Sequence, residues 1–177
     1  GNAVNARGSI EKPQVTAGVP AIDPVRSTIS FRMRTLFGLL PVRGTFSLDN
    51  ATITVADSVE ASSAKAVISA TSFASGNAQR DEHVRASDYL DVENHPEFLF
   101  VSEHFTWSGD SGTLHGNLTV KDVTKQITLD VMAVSGTEHG VSARASTTID
   151  RFAFGITTAP GLTCRNLHIT LEIVATR

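Results

Sequence analysis

Apolar and polar side chains alternate with a period of two along most of the chain, which predicts strands with one buried face. In the first clear run, Ile29, Phe31 and Met33 lie on one face and polar residues stand between them. Further runs place these residues on the inner face: Val42, Gly44, Phe46, Leu48, Ile53, Val55, Leu114, Gly116, Leu118, Val120, Ile127, Leu129, Val131, Ala133, Val141, Ala143, Ala145, Leu167, Ile169, Leu171 and Ile173. Residues 65–73 alternate less cleanly, and residues 98–107 are apolar or aromatic on both faces. Together these runs predict about eight or nine strands.

Turn-forming residues separate several of these runs. Residues 48–50, 108–112 and 135–137 are rich in Gly, Asn, Asp and Ser, which hairpin turns favour. Residues 79–90 break the two-residue period, because they are rich in helix formers and charge, and Asn77 is a candidate N-cap. We therefore expect one short helix, and hairpins between sequential antiparallel strands.

This arrangement of strands and one helical excursion indicates an antiparallel barrel or sandwich. The interior of an eight-stranded barrel has a width that side chains can fill completely, or that can hold one small ligand. The inner face carries small residues, such as Gly44 and Gly116, beside large ones, such as Phe31 and Phe46. The pattern alone fits a packed core and a hollow lumen equally well.

Composition narrows the class of protein. A length of 177 residues with 41% hydrophobic residues indicates one folded domain, and we expect a flexible lead-in over residues 1–20 and one barrel domain over 21–177. The net charge of −3 lacks the basic footprint of a nucleic-acid binder, and no apolar run is long enough to predict a transmembrane segment. The single Cys excludes an internal disulfide and favours a cytoplasmic location; a removed signal peptide would instead imply a periplasmic or secreted one.

No group of residues indicates catalysis or metal binding. The six histidines lack metal-ligand spacing, and the Gly-x-Ser-x-Gly, Walker and Gly-x-Gly-x-x-Gly motifs are absent. The charged residues 81–83 are expected to form a solvated helix face, and Cys164 to be a buried or loop thiol. We therefore expect no enzymatic activity, no cofactor and no metal.

Six short motifs occur in order between residues 22 and 175, and their order and spacing resemble those of the bacterial YceI-like proteins, a lipid- and polyisoprenoid-binding family. The motifs are Ile22-Asp23-Pro24-x-x-Ser27-x-x-x-Phe31, Val42-Arg43-Gly44-x-Phe46, Arg80-Asp81-x-His83-x-Arg85-x-x-Asp88-Tyr89-Leu90-Asp91, His95-Pro96-x-Phe98-x-Phe100-x-Ser102, Gly116-Asn117-Leu118-Thr119-Val120-x-x-Val123-Thr124 and Ile149-Asp150-Arg151-x-x-Phe154-Gly155.

The resemblance implies an eight-stranded antiparallel, lipocalin-like barrel with a short helix over one end. It also implies a hollow, apolar tunnel for a polyisoprenoid, an isoprenoid quinone or another long-chain amphiphile, and pairing as a homodimer. The residues expected to line the tunnel are Ile29, Phe31, Met33, Phe46, Phe98, Phe100, Leu118, Val120, Leu129, Val131 and Phe154.

Three residues are candidates for contact with a polar head group at the tunnel mouth: Arg34, Arg80 and His83. The chain departs from many relatives in carrying Arg26 where they have His, and in lacking a His in the stretch 34–39 that follows the first strand. Arginine near a mouth favours an anionic head such as a phosphate or carboxylate.

Two other classes of function remain open at this level. One is a ligand-free dimeric interaction or stress-response module with a filled core. The other is an isomerase or cyclase acting on an isoprenoid, which would need an acid–base pair inside the lumen. The sequence indicates no such pair.

Overall fold

The computed structural model describes residues 2–4, 10–13 and 17–176. Its strands are β1 (Asn2–Val4), β2 (Ile10–Pro13), β3 (Ala21–Ile22), β4 (Thr28–Thr35), β5 (Leu40–Thr54), β6 (Ser63–Ala74), β7 (Glu97–Ser108), β8 (Ser111–Val120), β9 (Val123–Thr137), β10 (Gly140–Asp150) and β11 (Asn166–Thr176). Helix α1 spans Ala78–Arg85, and two 3-10 segments span Val59–Ala61 and Arg151–Phe154. The predicted lead-in over residues 1–20 lies partly outside the described residues; its described part includes β1 and β2, which pair with each other.

Strands β4 to β11 form a closed barrel. Each strand pairs antiparallel with the next one along the chain, and β11 pairs with both β10 and β4. The closing ladder runs from Gly140 opposite Thr176 to Asp150 opposite Asn166. Strand β3 adds to the end of β11. The predicted eight-stranded antiparallel barrel is therefore confirmed, and the sandwich is excluded because one ladder continues around the whole sheet.

The strand directions place the connections at two ends of the barrel. The helix end carries α1, the segment Arg151–Phe154 and the hairpin loop 36–39 between β4 and β5. The opposite end carries the start of β4 and the segment Val59–Ala61. Among the described residues, no helix has the length and apolar composition needed to cross a membrane.

Helix α1 begins at the predicted cap but ends earlier than predicted. The Asn77 side chain accepts a hydrogen bond from the Arg80 backbone N–H at 3.0 Å, which confirms Asn77 as the N-cap. The helix ends at Arg85 rather than Leu90, since Ala86 is extended with φ −70° and ψ 170°. The turns that follow direct Tyr89 and Leu90 into the interior, and this burial outweighs the helical propensity of the stretch.

Two predicted turns are wrong because strands run through them. Residues 48–50 lie inside β5, where the register against β6 shifts between Leu48 and Asn50. The polar residues that favour a turn instead form a β-bulge, which also exposes two consecutive side chains. Residues 135–137 belong to β9, and the turn lies at 138–139. The turn predicted within 108–112 is confirmed at 109–110.

Bulges also change which side chains face inward. Ala133 was expected to share the inner face with Val131, but it is exposed and Val134 is buried instead. The cause is an irregularity in β9 at Ala133, whose φ of 53° shifts the register opposite Ser142 and Arg144. A similar shift in β7 between Ser102 and His104 explains why that strand is apolar on both faces in sequence.

Gly44 and Gly116 each face an aromatic ring across the inner wall, as Gly112 does opposite Phe105. A Cβ at Gly44 would lie 2.3 Å from the Phe31 ring and 2.2 Å from the Ala74 carbonyl oxygen. A Cβ at Gly116 would lie 2.6 Å from the Phe100 ring. These glycines therefore allow phenylalanine rings to lie flat against the barrel wall.

We expect Gly44→Ala to destabilise the fold, because the methyl group would displace the Phe31 ring and meet a backbone carbonyl. The expected loss in free energy of unfolding is about 1–3 kcal/mol. Urea unfolding followed by Trp107 fluorescence measures it. Thr45→Ala on the exposed face of the same strand is the matched control, expected to change stability by less than about 0.5 kcal/mol. Equal effects of the two substitutions would contradict the packing argument.

A candidate ligand-binding tunnel

The barrel lumen contains two apolar cavities in series. The central cavity, of about 160 Å³, is lined by Ile29, Phe46, Ala66, Ile68, Leu90, Phe98, Phe100, Leu118, Val120, Ile127, Leu129, Thr147, Ile149, Arg151, Phe154, Ile156, Leu167, Ile169 and Leu171. The far cavity, of about 200 Å³, extends toward the opposite end and includes Val59, Phe105, Val131, Val134 and Ile173 in its lining. The two cavities share the wall residues Ala66, Phe100, Leu129 and Leu171, so they are neighbours along the lumen.

A third cavity opens the channel toward the helix end. This mouth cavity, of about 390 Å³, lies between α1 and the loop 156–164 and shares Phe46, Leu90, Arg151, Ile156 and Leu167 with the central cavity. Its lining mixes apolar residues with Asn77, Gln79, Arg80, His83 and Thr163. Polarity therefore rises from the lumen toward the mouth, as an amphiphile with a polar head requires.

The structure brings nearly all of the predicted lining residues to these cavities. Val131 borders the far cavity and Met33 borders the mouth cavity. The predicted residues that border the central cavity are Ile29, Phe46, Phe98, Phe100, Leu118, Val120, Leu129 and Phe154. Phe31 lies elsewhere: its ring stacks on Phe73 with centroids 5.0 Å apart and tilts against Phe46 at 5.5 Å. Phe31 thus belongs to a packed aromatic cluster beside the mouth rather than to the cavity wall.

The set of residues expected to line the tunnel omitted several wall residues. Leu167, Ile169 and Leu171 of β11 line the central cavity, and their alternation was visible in the sequence. Leu90 and Ile156 also line it, although they lie in irregular segments. No periodic signal could have found the last two, because loops have no fixed alternation.

The three head-group candidates divide between two places. Arg80 and His83 line the mouth cavity. Arg80 Nε donates a hydrogen bond to Ser75 Oγ at 2.8 Å. The His83 ring lies edge-on to the Tyr89 ring, with the ring centroids 5.5 Å apart. Arg34 lies outside the barrel, where its Nη1 reaches the Gly38 carbonyl oxygen at 3.4 Å.

A buried carboxylate anchors α1 to the barrel rim. Asp81 is 6% exposed and accepts hydrogen bonds from the Ser75 hydroxyl and from the Ser75 backbone N–H at 3.0 Å. Burial by itself raises the pKa of Asp81, but the two Ser75 hydrogen bonds and the charges of Arg85 and Arg80 outweigh it. The net result is an Asp81 pKa below its ordinary value. Asp81 therefore positions the helix over the mouth, rather than forming the solvated face predicted for residues 81–83.

Arg151 organises the loop on the other side of the mouth. It is 7% exposed and donates to the carbonyl oxygens of Ile156 at 2.8 Å and Thr158 at 2.7 Å, and to the Thr163 hydroxyl at 2.8 Å. Among the described residues, no carboxylate lies within ion-pair distance of its guanidinium group, and Asp150 pairs with Arg165 instead. Arg151 thus brings to the inner end of the mouth cavity a positive charge that carbonyl oxygens stabilise and that no described carboxylate neutralises.

Cys164 is the last residue of this loop, and its Sγ lies 3.1 Å from the Met33 Sδ of the barrel wall. Burial raises the pKa of its thiol, and the nearby charge of Arg151 opposes the increase only in part. The thiol therefore stays protonated at neutral pH, which removes the thiolate that a cysteine nucleophile needs.

The fold and cavities together define a class of protein: an antiparallel eight-stranded barrel whose lumen is wide enough for a ligand, as in the lipocalins. The YceI-like domain family matches residues 21–175, so the chain belongs to the YceI-like family. The resemblance seen in the sequence is confirmed.

Relatives and solved structures agree with this assignment. A UPF0312 protein of Pectobacterium atrosepticum is 27% identical over 139 residues, covering 76% of this chain and 69% of the relative. The crystal structure of Burkholderia cenocepacia BcnA superimposes with a TM-score of 0.79 at 23% identity, covering 88% of this chain and 99% of that chain. A polyisoprenoid binding domain from Saccharophagus degradans, implicated in plant cell wall breakdown, superimposes with a TM-score of 0.67 at 10% identity, covering 92% of this chain and all of that one.

The chain covers only part of the length of its curated relatives. The alignments cover between 60% and 69% of the first curated relatives, so the chain spans about two thirds of their length. At these identities the solved structures support the fold alone.

We expect the stabilising effect of Asp81 to depend on pH. Because its folded pKa is lowered, its contribution is complete above the unfolded value of about 3.9 and is lost as the pH falls through the folded pKa. Asp81→Asn should therefore lower the free energy of unfolding by about 1.5–3 kcal/mol at pH 7, and by less below about pH 4. Urea unfolding at pH 7, 5 and 3 measures this difference. Glu82→Gln, exposed on the same helix, is the control; an Asp81 effect that is constant with pH would contradict the argument.

Proposed function

We propose that the chain binds the tail of a polyisoprenoid, an isoprenoid quinone or another long-chain amphiphile inside the barrel. The observation that carries this proposal is the row of far, central and mouth cavities along the lumen, in which each neighbouring pair shares wall residues. A narrow apolar channel with a polar mouth suits a long tail better than a compact molecule.

The physical basis of tail binding is removal of hydrocarbon from water. Among the described lining residues of the central cavity, only Thr147 and Arg151 carry polar side-chain groups, so water finds few partners there. Each CH₂ transferred into such a channel contributes about 0.8 kcal/mol before the costs of binding. Association and ordering reduce this, and about 0.3 kcal/mol per heavy atom is the working range for large ligands.

The polar head is proposed to remain at the mouth cavity. Arg80 and His83 lie on its helix side and Arg151 on its loop side. Ser75 holds the Arg80 guanidinium in place. Its hydroxyl oxygen accepts a hydrogen bond from Arg80 Nε, and its carbonyl oxygen accepts one from Arg80 Nη2 at 3.0 Å. The two guanidinium groups favour a phosphate or carboxylate head, and a quinone carbonyl also accepts hydrogen bonds from such donors.

Binding rather than catalysis is the proposed activity. The polyisoprenoid binding domain of Saccharophagus degradans, which shares the fold, supports a binding role. The protonated Cys164 thiol and the structural engagement of Asp81 leave neither group poised for chemistry on a ligand.

Native mass spectrometry of freshly purified protein, followed by denaturation and lipid identification, tests the proposal. We expect one long-chain isoprenoid or quinone per chain. Protein that is empty as purified and also fails to take up such lipids would instead support the filled-core interaction module. Measuring the mass of the assembly in the same experiment tests the expected homodimer.

We expect Ala66→Trp to shorten the usable channel, because Ala66 lies at the junction of the central and far cavities. Affinity for a long-tailed ligand should fall about tenfold or more, as several CH₂ groups lose their burial, while affinity for a short-tailed analogue should change little. Titration calorimetry with a series of tail lengths measures both. Val101→Trp, on the exposed face of β7, is the matched control. A uniform loss across all tail lengths would argue against a through-channel.

A further inference from the structure

The helix end of the barrel carries an exposed apolar tip. In the hairpin loop between β4 and β5, Phe37 is 75% exposed and Leu39 is 82% exposed, and Leu36 and Leu40 are also exposed. Leu162, half exposed, stands beside them because the Phe37 backbone N–H donates to the Gly161 carbonyl oxygen at 2.6 Å. We call Leu36, Phe37, Leu39, Leu40 and Leu162 the apolar tip.

The backbone keeps these side chains in water at a conformational cost. Leu36, Phe37 and Gly38 have consecutive positive φ angles of 50°, 56° and 84°. Leucine and phenylalanine rarely adopt this left-handed conformation. A turn of polar or glycine residues would connect the strands with less strain, so the tip is not explained by the needs of the hairpin.

A basic groove adjoins the apolar tip. It lies between the end of β4 and the segment 161–166, has a volume of about 600 Å³, and is bordered by the exposed Arg32, Arg34 and Arg43. Arg165 and His168 also border it, and Arg165 is paired with Asp150. Among the described residues that line the groove there is no Asp or Glu, and no described carboxylate forms an ion pair with Arg32, Arg34 or Arg43.

The groove lies next to the tunnel mouth. Met33, Thr163 and Cys164 line both the basic groove and the mouth cavity. A surface that contacts the tip and the groove would therefore face the entrance through which a lipid tail must pass.

We propose that the apolar tip and the basic groove form a docking surface for a bilayer that contains anionic phospholipids. Apolar side chains flanked by cations match the membrane interface, where the former enter the acyl boundary and the latter bind lipid phosphates. Since the whole chain carries a net charge of −3, the local cations also select this orientation at an anionic surface. Docking would bring the tunnel mouth to the lipid that the proposed function needs. The docking proposal itself rests only on the exposed residues of the tip and groove.

A second copy of the chain fits this surface less well. A two-fold symmetric dimer through the same face would bring Arg32, Arg34 and Arg43 of one copy toward the same residues of the other. The repulsion of these cations opposes such pairing, whereas an anionic bilayer neutralises them.

Co-sedimentation of the full chain with lipid vesicles tests the proposal. We expect binding to phosphatidylcholine vesicles containing roughly 30% phosphatidylglycerol, weaker binding to pure phosphatidylcholine, and loss of the difference as salt rises from about 0.1 M to about 1 M. Equal binding to both vesicle types, or to neither, would overturn the proposal.

Two pairs of variants localise the docking surface. Phe37→Ser with Leu39→Ser should weaken vesicle binding about tenfold or more. Arg34→Glu with Arg43→Glu should weaken it about 25-fold or more. The controls are Val25→Ser, 88% exposed, and Arg26→Glu, both at the opposite end of the barrel; they should bind as the parent chain does. Thermal unfolding of each variant verifies the fold, and parent-like binding by the tip or groove variants would place the contact elsewhere.

The outcomes separate docking from tail binding. Protein that retains a lipid in native mass spectrometry but does not bind anionic vesicles overturns docking alone. Protein that docks through the tip and groove but never takes up a lipid supports docking and contradicts the proposed function. A dimer that Phe37→Ser with Leu39→Ser dissociates, without vesicle binding by the parent chain, would identify the tip as an interface between copies instead.

Discussion

Closure of the sheet is the constraint on which the rest of this structure depends. The ladder between β10 and β11 satisfies the backbone groups that would otherwise form two sheet edges. It also encloses the inner faces of eight strands. The size and placement of their side chains then decide how much of the enclosed space stays open. Glycines opposite Phe31 and Phe100 let these rings lie against the wall, and the remaining width forms the apolar channel.

The helix end shows how the barrel keeps one end structured without sealing it. Asp81 ties α1 to Ser75 on one side, and Arg151 gathers the carbonyl groups of the loop 156–164 on the other. Both are buried charges supported by several hydrogen bonds, an arrangement that is costly to disrupt. Between these two anchors the mouth cavity stays open and acquires its mixed polarity.

Apolar, polar and positively charged surfaces therefore lie together at the helix end of the barrel. Inside are apolar walls, at the mouth are Arg80, His83 and Arg151, and outside are the apolar tip and the basic groove. The proposed tail, head group and bilayer surface therefore each match an environment at this end of the barrel. At the opposite end, the described residues that line the far cavity include one charged side chain, Lys65, and no arginine.

The two-residue alternation predicted most of the strands and most of their inward positions, and the turn residues added the antiparallel order, because inward positions in a barrel must be apolar whatever the partner strand. The order of six motifs added the family and the barrel closure. Tertiary structure alone decided the bulges at Asp49, Glu103 and Ala133, which shift the inward set by one residue and turn an expected loop into a strand. It also decided that Phe31 packs while its neighbours line a cavity, that Arg151 is buried, and that Arg34 faces outward, since these outcomes depend on contacts between residues far apart in the chain.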